Sequence, residues 1–391
     1  MNTRARTIAA ALAATTKYEE DTAAAAVEFR ILSDLHLEFY ASANELLVTI
    51  PWNPARDARS FLLLAGDVGY PLGEVENSKY RALLDALATR FRGVFLVAGN
   101  HEYYQCTESH ATMADVDAAL DGLCRSLHRP SRPVVFLQKQ AWTLIAERAD
   151  GSAHTTQLVG CTMWSPVTAT ASMQLNDRHF VGVEAPWIRA VHTEHAGWLR
   201  RTLSASLQQS TAPSQIMRPA PPPSCSSSTD EEVRTVVVVH EEEEEEEEPP
   251  PPNTTLIIRC DGSIIESADR QLATVYDRRV VMTHHLPTGR PPPTSAFQHL
   301  LVAASRDSAY YADLFRRGDS WPEDAYPDLW VCGHLHSQER RRVGRTEVIS
   351  CCHGYSVGQL AEAGRMAELA WRPTEPVYCR DAARHLTLQN V

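Results

Sequence analysis

The stretch "GVFLVAGNHE", residues 93–102, joins a short apolar run to three polar side chains. The run has the length and the continuous apolar character of a strand that is buried on both faces. Small residues end it, and Asn100, His101 and Glu102 follow directly. Four further segments repeat this arrangement: "VEFRILSDLH" (27–36), "SFLLLAGDV" (60–68), "RRVVMTHH" (278–285) and "DLWVCGHLH" (328–336).

Helical patterns lie between some of these runs. We expect Ser78 to cap one helix and Thr193 to cap another, each with apolar side chains on one stripe. Buried strands that alternate with helices predict an α/β fold with helices covering the sheets. Functional groups in such folds collect at the carboxyl ends of the strands, where all five runs carry polar residues.

The polar residues at these five ends are of the types that bind metal ions. Carboxylate, imidazole and amide oxygen together are the ligands that Mn, Fe and Zn take in proteins. Seven ligands are too many for one tetrahedral zinc, but they suffice for two ions about 3.5–4 Å apart that share a bridge. The candidate ligands are Asp34, His36, Asp67, Asn100, His284 or His285, His334 and His336.

Each motif has an ordinary structural explanation when it is taken alone. An Asp-x-His after a strand is more often a turn with a local hydrogen bond, and Gly-Asp or Gly-Asn pairs are common in turns. His284 and His285 are compatible with a surface pair. Five such strand ends in order favour a shared metal centre over five unrelated turns.

The series "SDLH", "AGD", "AGNHE", "THH" and "CGHLH" resembles the calcineurin-like metallophosphoesterases. That family has the signature D-x-H, G-D, G-N-H-[DE], a later H, and G-H-x-H. The resemblance implies a four-layer α/β/β/α fold, with two mixed β-sheets packed face to face and flanked by helices. "VGCTMWS", "LNDRHF" and "HAGWL" look like a single-domain branch of the family whose substrate the sequence does not define.

The resemblance also implies a role for each residue of the motifs. The first ion would be held by Asp34, His36 and His336. Asp67 would bridge both ions. The second ion would be held by Asn100, His334 and His284, with His285 as the rival of His284. His101 would protonate the leaving oxygen, and Glu102 would support the site rather than bind metal.

The implied activity is hydrolysis of a phosphomonoester or phosphodiester, with a hydroxide that bridges the ions attacking phosphorus. Candidate substrates are a small phosphorylated metabolite, a cyclic nucleotide or a phosphoprotein. Candidate substrate contacts are Asp177, Arg178 and His285, with Arg290 as a further possibility. Two alternatives stay open: a non-catalytic scaffold of the same fold that binds protein partners, and a nuclease.

Composition limits the partners. The net charge is −12, of which the run Glu241–Glu248 carries −8, so the rest is near neutral and nucleic acid is a poor fit. No stretch approaches the roughly 20 apolar residues that a membrane helix needs. Nine scattered cysteines without a CxxC pair favour reduced thiols and a cytoplasmic location. Oligomeric state cannot be read from these features.

Two regions are predicted to lie outside the packed domain. Residues 1–26 fit either an unstructured Ala-rich tail or a weak organelle presequence. The domain would then span 27–391, with a low-complexity disordered insertion at about 204–253 that is rich in Pro, Ser and Glu. "TVVVVH" within that insertion is a strand-like run whose flanking residues argue against a core position.

Overall fold

The computed structural model describes residues 27–148, 150–167, 176–211, 254–267, 276–288, 314–315, 325–336, 338–354 and 378–380. Thirteen strands lie within these ranges. The strands are β1 Glu28–Leu32, β2 Phe61–Ala65, β3 Gly93–Val97, β4 Val134–Phe136, β5 Gln140–Glu147, β6 Ala153–Gly160, β7 Thr254–Ile258, β8 Ile264–Ser267, β9 Arg278–Met282, β10 Leu329–Cys332, β11 Gln338–Val343, β12 Thr346–Cys351 and β13 Tyr378–Arg380.

The five apolar runs form strands β1, β2, β3, β9 and β10, as the sequence predicts. The first sheet has the order β13-β1-β2-β3-β4, in which β1 to β4 are parallel and β13 pairs antiparallel with β1. The second sheet has the order β11-β12-β10-β9-β6-β5-β7-β8 and is mixed. Its centre, from β12 to β6, is parallel.

The two sheets pack face to face around one apolar core. The ring of Phe95 on β3 lies 5.8 Å from that of Trp142 on β5, in an edge-to-face contact across the sheets. Alternate residues of β9 and β10 complete this core, among them Val280, Met282 and Val331. Burying each such side chain contributes roughly 1.5–3 kcal/mol. This packing holds the carboxyl ends of β1, β2, β3, β9 and β10 against one another.

Helices cover the outer faces of both sheets. The described helices are α1 Ala43–Leu47, α2 Pro54–Asp57, α3 Glu74–Arg90, α4 Cys106–Ser109, α5 Met113–Leu127, α6 Asn176–Phe180 and α7 Ala185–Thr211. Helices α3 and α5 contact β3 and β4 of the first sheet. On the second sheet, Val281 and Trp330 form a separate apolar cluster with Trp198 and Leu199 of α7. This arrangement confirms the predicted α/β fold of two sheets flanked by helices.

The predicted caps of two helices are wrong. Helix α3 begins at Glu74, so Ser78 lies in its second turn; Glu74 and Glu76 in the first turn favour the earlier start by interacting with the helix dipole. Thr193 lies inside α7, where its hydroxyl donates to the carbonyl of Arg189 at 2.8 Å. Thr193 is therefore an interior residue of the helix, and its hydroxyl bonds the helix backbone instead of capping an end.

The predicted tail 1–26 lies outside the described residues, as does most of the predicted insertion, including "TVVVVH". Helix α7 continues to Thr211, seven residues past the position near 204 where the insertion was expected to begin. Strand β7 begins at Thr254. The described helices include none that is long and apolar enough to cross a membrane.

Candidate metal centre

The polar residues after the five strands meet at one edge of the two sheets. Five of the predicted ligands have left-handed backbone conformations, with φ between 49° and 73°, and all five are non-glycine residues. Such conformations each cost of order 1–3 kcal/mol and concentrate where function requires a particular side-chain direction. These residues are Asp34, His36, Asp67, His334 and His336.

The first group of ligand-type atoms comes from β1, β2 and β10. Nε2 of His36 lies 2.9 Å from Nε2 of His336, and Nε2 of His336 lies 3.5 Å from Oδ1 of Asp34. One ligand atom from each of these residues, and one from Asp67, lie within 4.8 Å of one another. The residues therefore converge on a volume that a single ion can fill.

The second group surrounds Nε2 of His284. This atom lies 3.0 Å from Oδ1 of Asn100, 3.2 Å from Nδ1 of His334 and 3.3 Å from Oδ2 of Asp67. Asp67 thus belongs to both groups, as expected for a bridging carboxylate. Sequence left His284 and His285 open as alternatives, and it is His284 that lies in this group.

The separations within the two groups are those expected of ligands around a cation. Ligands at 2.0–2.1 Å from an octahedral ion lie about 3 Å from one another, which matches the 2.9–3.3 Å separations around His36 and His284. Two neutral imidazole nitrogens that face each other through lone pairs would repel. A cation between them removes that conflict, and the donor set suits a divalent first-row ion.

The protonation states of several groups favour metal binding. Burial opposes ionisation of Asp67, but the nearby His284 and His101 outweigh it and hold the pKa of its carboxyl well below the usual value. Burial and repulsion by His284 lower the pKa of His334 to about 3, so its ring is neutral and has a lone pair to share. Burial raises the pKa of Asp34, an effect that a bound cation would oppose.

Backbone and neighbouring side chains orient the candidate ligands. Burial opposes the charged form of His284, but Asp67 outweighs it and raises the pKa of His284 to about 9, so Nε2 carries a proton that a bound ion would displace. Nδ1 of His284 donates to the carbonyl of Ala65 at 2.8 Å, which directs Nε2 into the centre. The backbone N–H of His334 donates to Oδ1 of Asp34 at 2.9 Å, and that of His101 donates to Oδ1 of Asp67 at the same distance. The loops therefore hold the two carboxylates directly.

Glu102 supports the loop that presents Asp67. Its buried carboxylate accepts from the backbone N–H groups of Asp67, Val68, Gly69 and Gly99, at 2.6–3.2 Å, and from the Tyr80 hydroxyl at 3.3 Å. Burial, together with repulsion by Asp67, raises the pKa of Glu102 to about 7. All of these contacts agree with a supporting role and leave the side chain outside both ligand groups.

His101 lies beside the first group and is held by a residue that the sequence did not single out. Its Nδ1 bonds Oε1 of Glu38 at 2.8 Å, and its ring stacks on Tyr104 with the centroids 4.2 Å apart. Burial opposes the charged form of His101, but Asp67 and Glu38 outweigh it and raise its pKa to about 9. A sequence signal for Glu38 exists, because it extends Asp34-x-His36 by the same alternate spacing.

Asp177 is buried beneath Asn100 in this structure. Its Oδ1 accepts from Nδ2 of Asn100 at 3.0 Å and from the Tyr104 hydroxyl at 2.9 Å. Because the amide nitrogen of Asn100 is thereby engaged, its carbonyl oxygen is the atom that faces His284. Asp177, which the sequence put forward for substrate contact, therefore orients the candidate ligand Asn100 in this structure.

The other predicted substrate contacts have different surroundings. Arg178 lies 3.2 Å from Glu184 in an exposed ion pair. His285 bonds the Ser165 hydroxyl through Nδ1 at 2.9 Å, and its buried Nε2 has no hydrogen-bond partner among the described residues. Its ring packs on His334 with the centroids 4.2 Å apart. Arg290 lies outside the described residues.

Similar proteins were found by sequence and by structure. An uncharacterized protein of Acanthamoeba polyphaga mimivirus is 25% identical over 159 residues, which cover 39% of this chain and 51% of that protein. The match therefore spans about half the length of that curated relative.

Two solved structures are similar over most of their length. The phosphopantetheinyl hydrolase of Mycobacterium tuberculosis has a TM-score of 0.47 at 15% identity, over 90% of this chain and 96% of that one. GAP50, the anchor in the inner membrane complex of Plasmodium, has a TM-score of 0.39 at 9% identity, over 84% of this chain and 72% of that one.

A family model also matches the chain. The region from residue 28 to residue 137 matches the model described as calcineurin-like phosphoesterase, and it contains the D-x-H, G-D and G-N-H-E motifs. This match confirms the resemblance seen in the sequence motifs. The matched part of the chain, residues 28–137, is therefore similar to the calcineurin-like phosphoesterases, a family of metal-dependent phosphoesterases.

Proposed function

We propose that the protein is a phosphoesterase that uses two metal ions to hydrolyse a phosphomonoester or a phosphodiester. The observation that carries this proposal is the position of Asp67, whose carboxylate belongs to both groups of ligand-type atoms. A carboxylate shared between two adjacent groups is the arrangement of two-metal sites that act at phosphorus.

The first ion would be held by Asp34, His36, Asp67 and His336. The second would be held by Asp67, Asn100, His284 and His334. The mixture of nitrogen and oxygen donors suits Mn, Fe or Zn. When bound, the two ions would supply positive charge that activates water and neutralises phosphate oxygens as charge develops on them.

The residues around this centre supply orientation and a proton. Ala65 and Asp177 hold His284 and Asn100 in the direction of the second ion. His101 would donate a proton to the leaving oxygen, and the Tyr104 ring stacked on it fixes the plane of the imidazole. In this scheme His101 is the acid and not a ligand: its Nδ1 is engaged by Glu38, and its Nε2 is left for the substrate.

The substrate class is proposed from charge. The chain outside its glutamate run is near neutral, and the candidate phosphate contact Arg178 is paired with Glu184. The ions would then make most of the contacts to the phosphate. A small phosphorylated metabolite, a cyclic nucleotide or a phosphoprotein fits this better than a long nucleic acid, which requires a basic surface.

The test combines metal content with two ester substrates. Protein stripped of metal should be inactive, and activity should return as Mn, Fe or Zn is added up to two ions per chain. Rates with p-nitrophenyl phosphate and its bis-ester would separate monoesterase from diesterase. Asp67→Asn should lose ions from both groups together with activity, because the carboxylate is shared.

Asp85→Asn is the matched control, because Asp85 is an exposed aspartate on helix α3. It should retain both ions and the full rate. Full activity in protein shown to be free of metal would overturn the proposal. A folded protein that binds ions but hydrolyses neither ester would favour the scaffold alternative.

A further inference from the structure

Glu38 contacts two histidines with different proposed tasks. It lies in the short 3-10 turn Leu37–Phe39 that follows β1, and its side chain is 4% exposed. Its Oε1 lies 3.1 Å from Nδ1 of His36 and 2.8 Å from Nδ1 of His101. One carboxylate oxygen thus joins a candidate ligand of the first ion to the candidate acid.

The chemistry of the carboxylate decides which ring nitrogens carry hydrogen. An ionised carboxylate only accepts hydrogen bonds, so the nitrogen that faces it in each ring must be Nδ1–H. Nε2 of His36 then keeps its lone pair and lies in the first ligand group, 2.9 Å from Nε2 of His336. In His101, Nε2 becomes the nitrogen that exchanges a proton with the substrate.

The neighbouring carboxylates are engaged elsewhere. Glu102 accepts from four backbone N–H groups of the loops. Asp67 contacts the backbone N–H of His101 and the ring of His284. Glu38 bonds the ring of His101 through Nδ1 at 2.8 Å.

We propose that Glu38 is a positioning residue that holds Nδ1–H in both rings and so aligns the first metal ligand with the acid. This inference rests on the proposed phosphoesterase function. As the P–O bond breaks, its electron pair goes to the leaving oxygen, which takes the proton from Nε2 of His101. The ring keeps its Nδ1–H on Glu38, and a proton released when water adds to phosphorus restores Nε2–H.

The variant that tests this is Glu38→Gln, which keeps the size of the side chain and removes its charge. Two esters that differ only in their leaving group, p-nitrophenolate or an alkoxide, report on proton delivery. The kcat for the alkoxide ester should fall by about 10²-fold or more, while that for the p-nitrophenolate ester should fall far less, because this group leaves without a proton. KM should change little for both esters.

A double variant separates positioning from a general structural role. With both ions at saturating concentration, Glu38→Gln in a His101→Ala background should cause no further loss with the alkoxide ester, because the acid that it positions is absent. Equal losses for both esters, with effects that add in the double variant, would overturn the proposal. Glu45→Gln is the control, since Glu45 is an exposed glutamate whose carboxylate bonds the Ala41 backbone N–H.

An ion titration, which does not depend on turnover, tests whether Glu38 positions His36. Because Glu38 also orients His36, Glu38→Gln should weaken binding of one ion by about 10–100-fold and leave the second ion nearly unaffected. Unchanged affinity for both ions would contradict it. If the wild-type protein hydrolyses neither ester, the proposed function fails, but this titration still decides whether Glu38 positions His36.

Discussion

Gly99 lies where the loops after β2 and β3 touch, and a methyl group at this position has no room. A Cβ atom built on Gly99 would lie 2.6 Å from the backbone nitrogen of Asp67 and 2.8 Å from Cε1 of His284, with Oδ1 of Asp67 closer still. The backbone of Gly99 does not have a positive φ, so an alanine is compatible with its conformation. Gly99→Ala therefore tests packing at the centre and not backbone strain.

The expected displacement follows from these distances. Ordinary contact begins at 3.4 Å, so relieving the contact with the Asp67 nitrogen requires a movement of about 0.8 Å. The carboxylate of Asp67 must move at least as far, since it is closer. A misplacement of about 1 Å at a reacting centre costs on the order of 10²-fold in rate. We expect kcat to fall by about that factor and ion binding to both groups to weaken.

The assay compares Gly99→Ala with Gly122→Ala by steady-state hydrolysis, ion titration and thermal unfolding. Gly122 lies inside helix α5, and a Cβ there meets nothing within 4 Å. Gly122→Ala should keep full activity and raise the free energy of unfolding by about 0.5–1 kcal/mol. Gly99→Ala with wild-type kcat and wild-type ion affinity would refute the placement of Asp67 at the shared centre.

Three further predictions use other parts of the structure. His101→Ala should keep both ions and lose about 10²–10⁴-fold in rate for an alkoxide ester but far less for p-nitrophenyl phosphate; loss of an ion would instead make His101 a ligand. Glu102→Gln should lower the free energy of unfolding by about 1.5–3 kcal/mol, measured with denaturant, because a charged acceptor of five hydrogen bonds is removed; an unchanged midpoint would contradict this. Deleting Pro213–Pro252 should change stability by less than about 1 kcal/mol and leave turnover intact, whereas failure to fold would show that the insertion contains a core strand.

The strands that carry the site could be predicted because their signal is local. Each of the five runs is continuously apolar, which is what burial on both faces requires, and each is followed at once by small and polar residues. Because functional groups in such folds gather at the carboxyl ends of the strands, the candidate ligands were expected to lie at one edge of the sheets. That expectation required no knowledge of tertiary contacts.

The errors came from contacts that depend on tertiary structure. Ser78 and Thr193 have the chemistry of caps, but both helices begin earlier. Glu74 and Glu76 favour the earlier start of α3, and the buried side chains of Ala185 and Ile188 extend the apolar face of α7. Asp177 stays a predicted substrate contact, and the fold adds a contact that the sequence did not predict, its hydrogen bond to Asn100. No local pattern encodes that contact, which joins residues 77 positions apart.

Glu38 and the pair His284–His285 are cases within the site in which the sequence pattern does not determine a tertiary contact. Glu38 reaches His101 across 63 positions, through a turn whose direction follows from the left-handed conformation of His36. His284 and His285 have identical chemistry and adjacent positions. Their tertiary contacts distinguish them, since His284 bonds the Ala65 carbonyl and His285 bonds the Ser165 hydroxyl.

The most direct test of the two-metal centre is anomalous diffraction from crystals grown with Mn, Fe or Zn. Two peaks about 3.5–4 Å apart are expected. One should lie beside Asp34, His36 and His336 and the other beside Asn100, His284 and His334, with Asp67 in contact with both. A single peak, or none in crystals that contain an excess of the ion, would contradict the account.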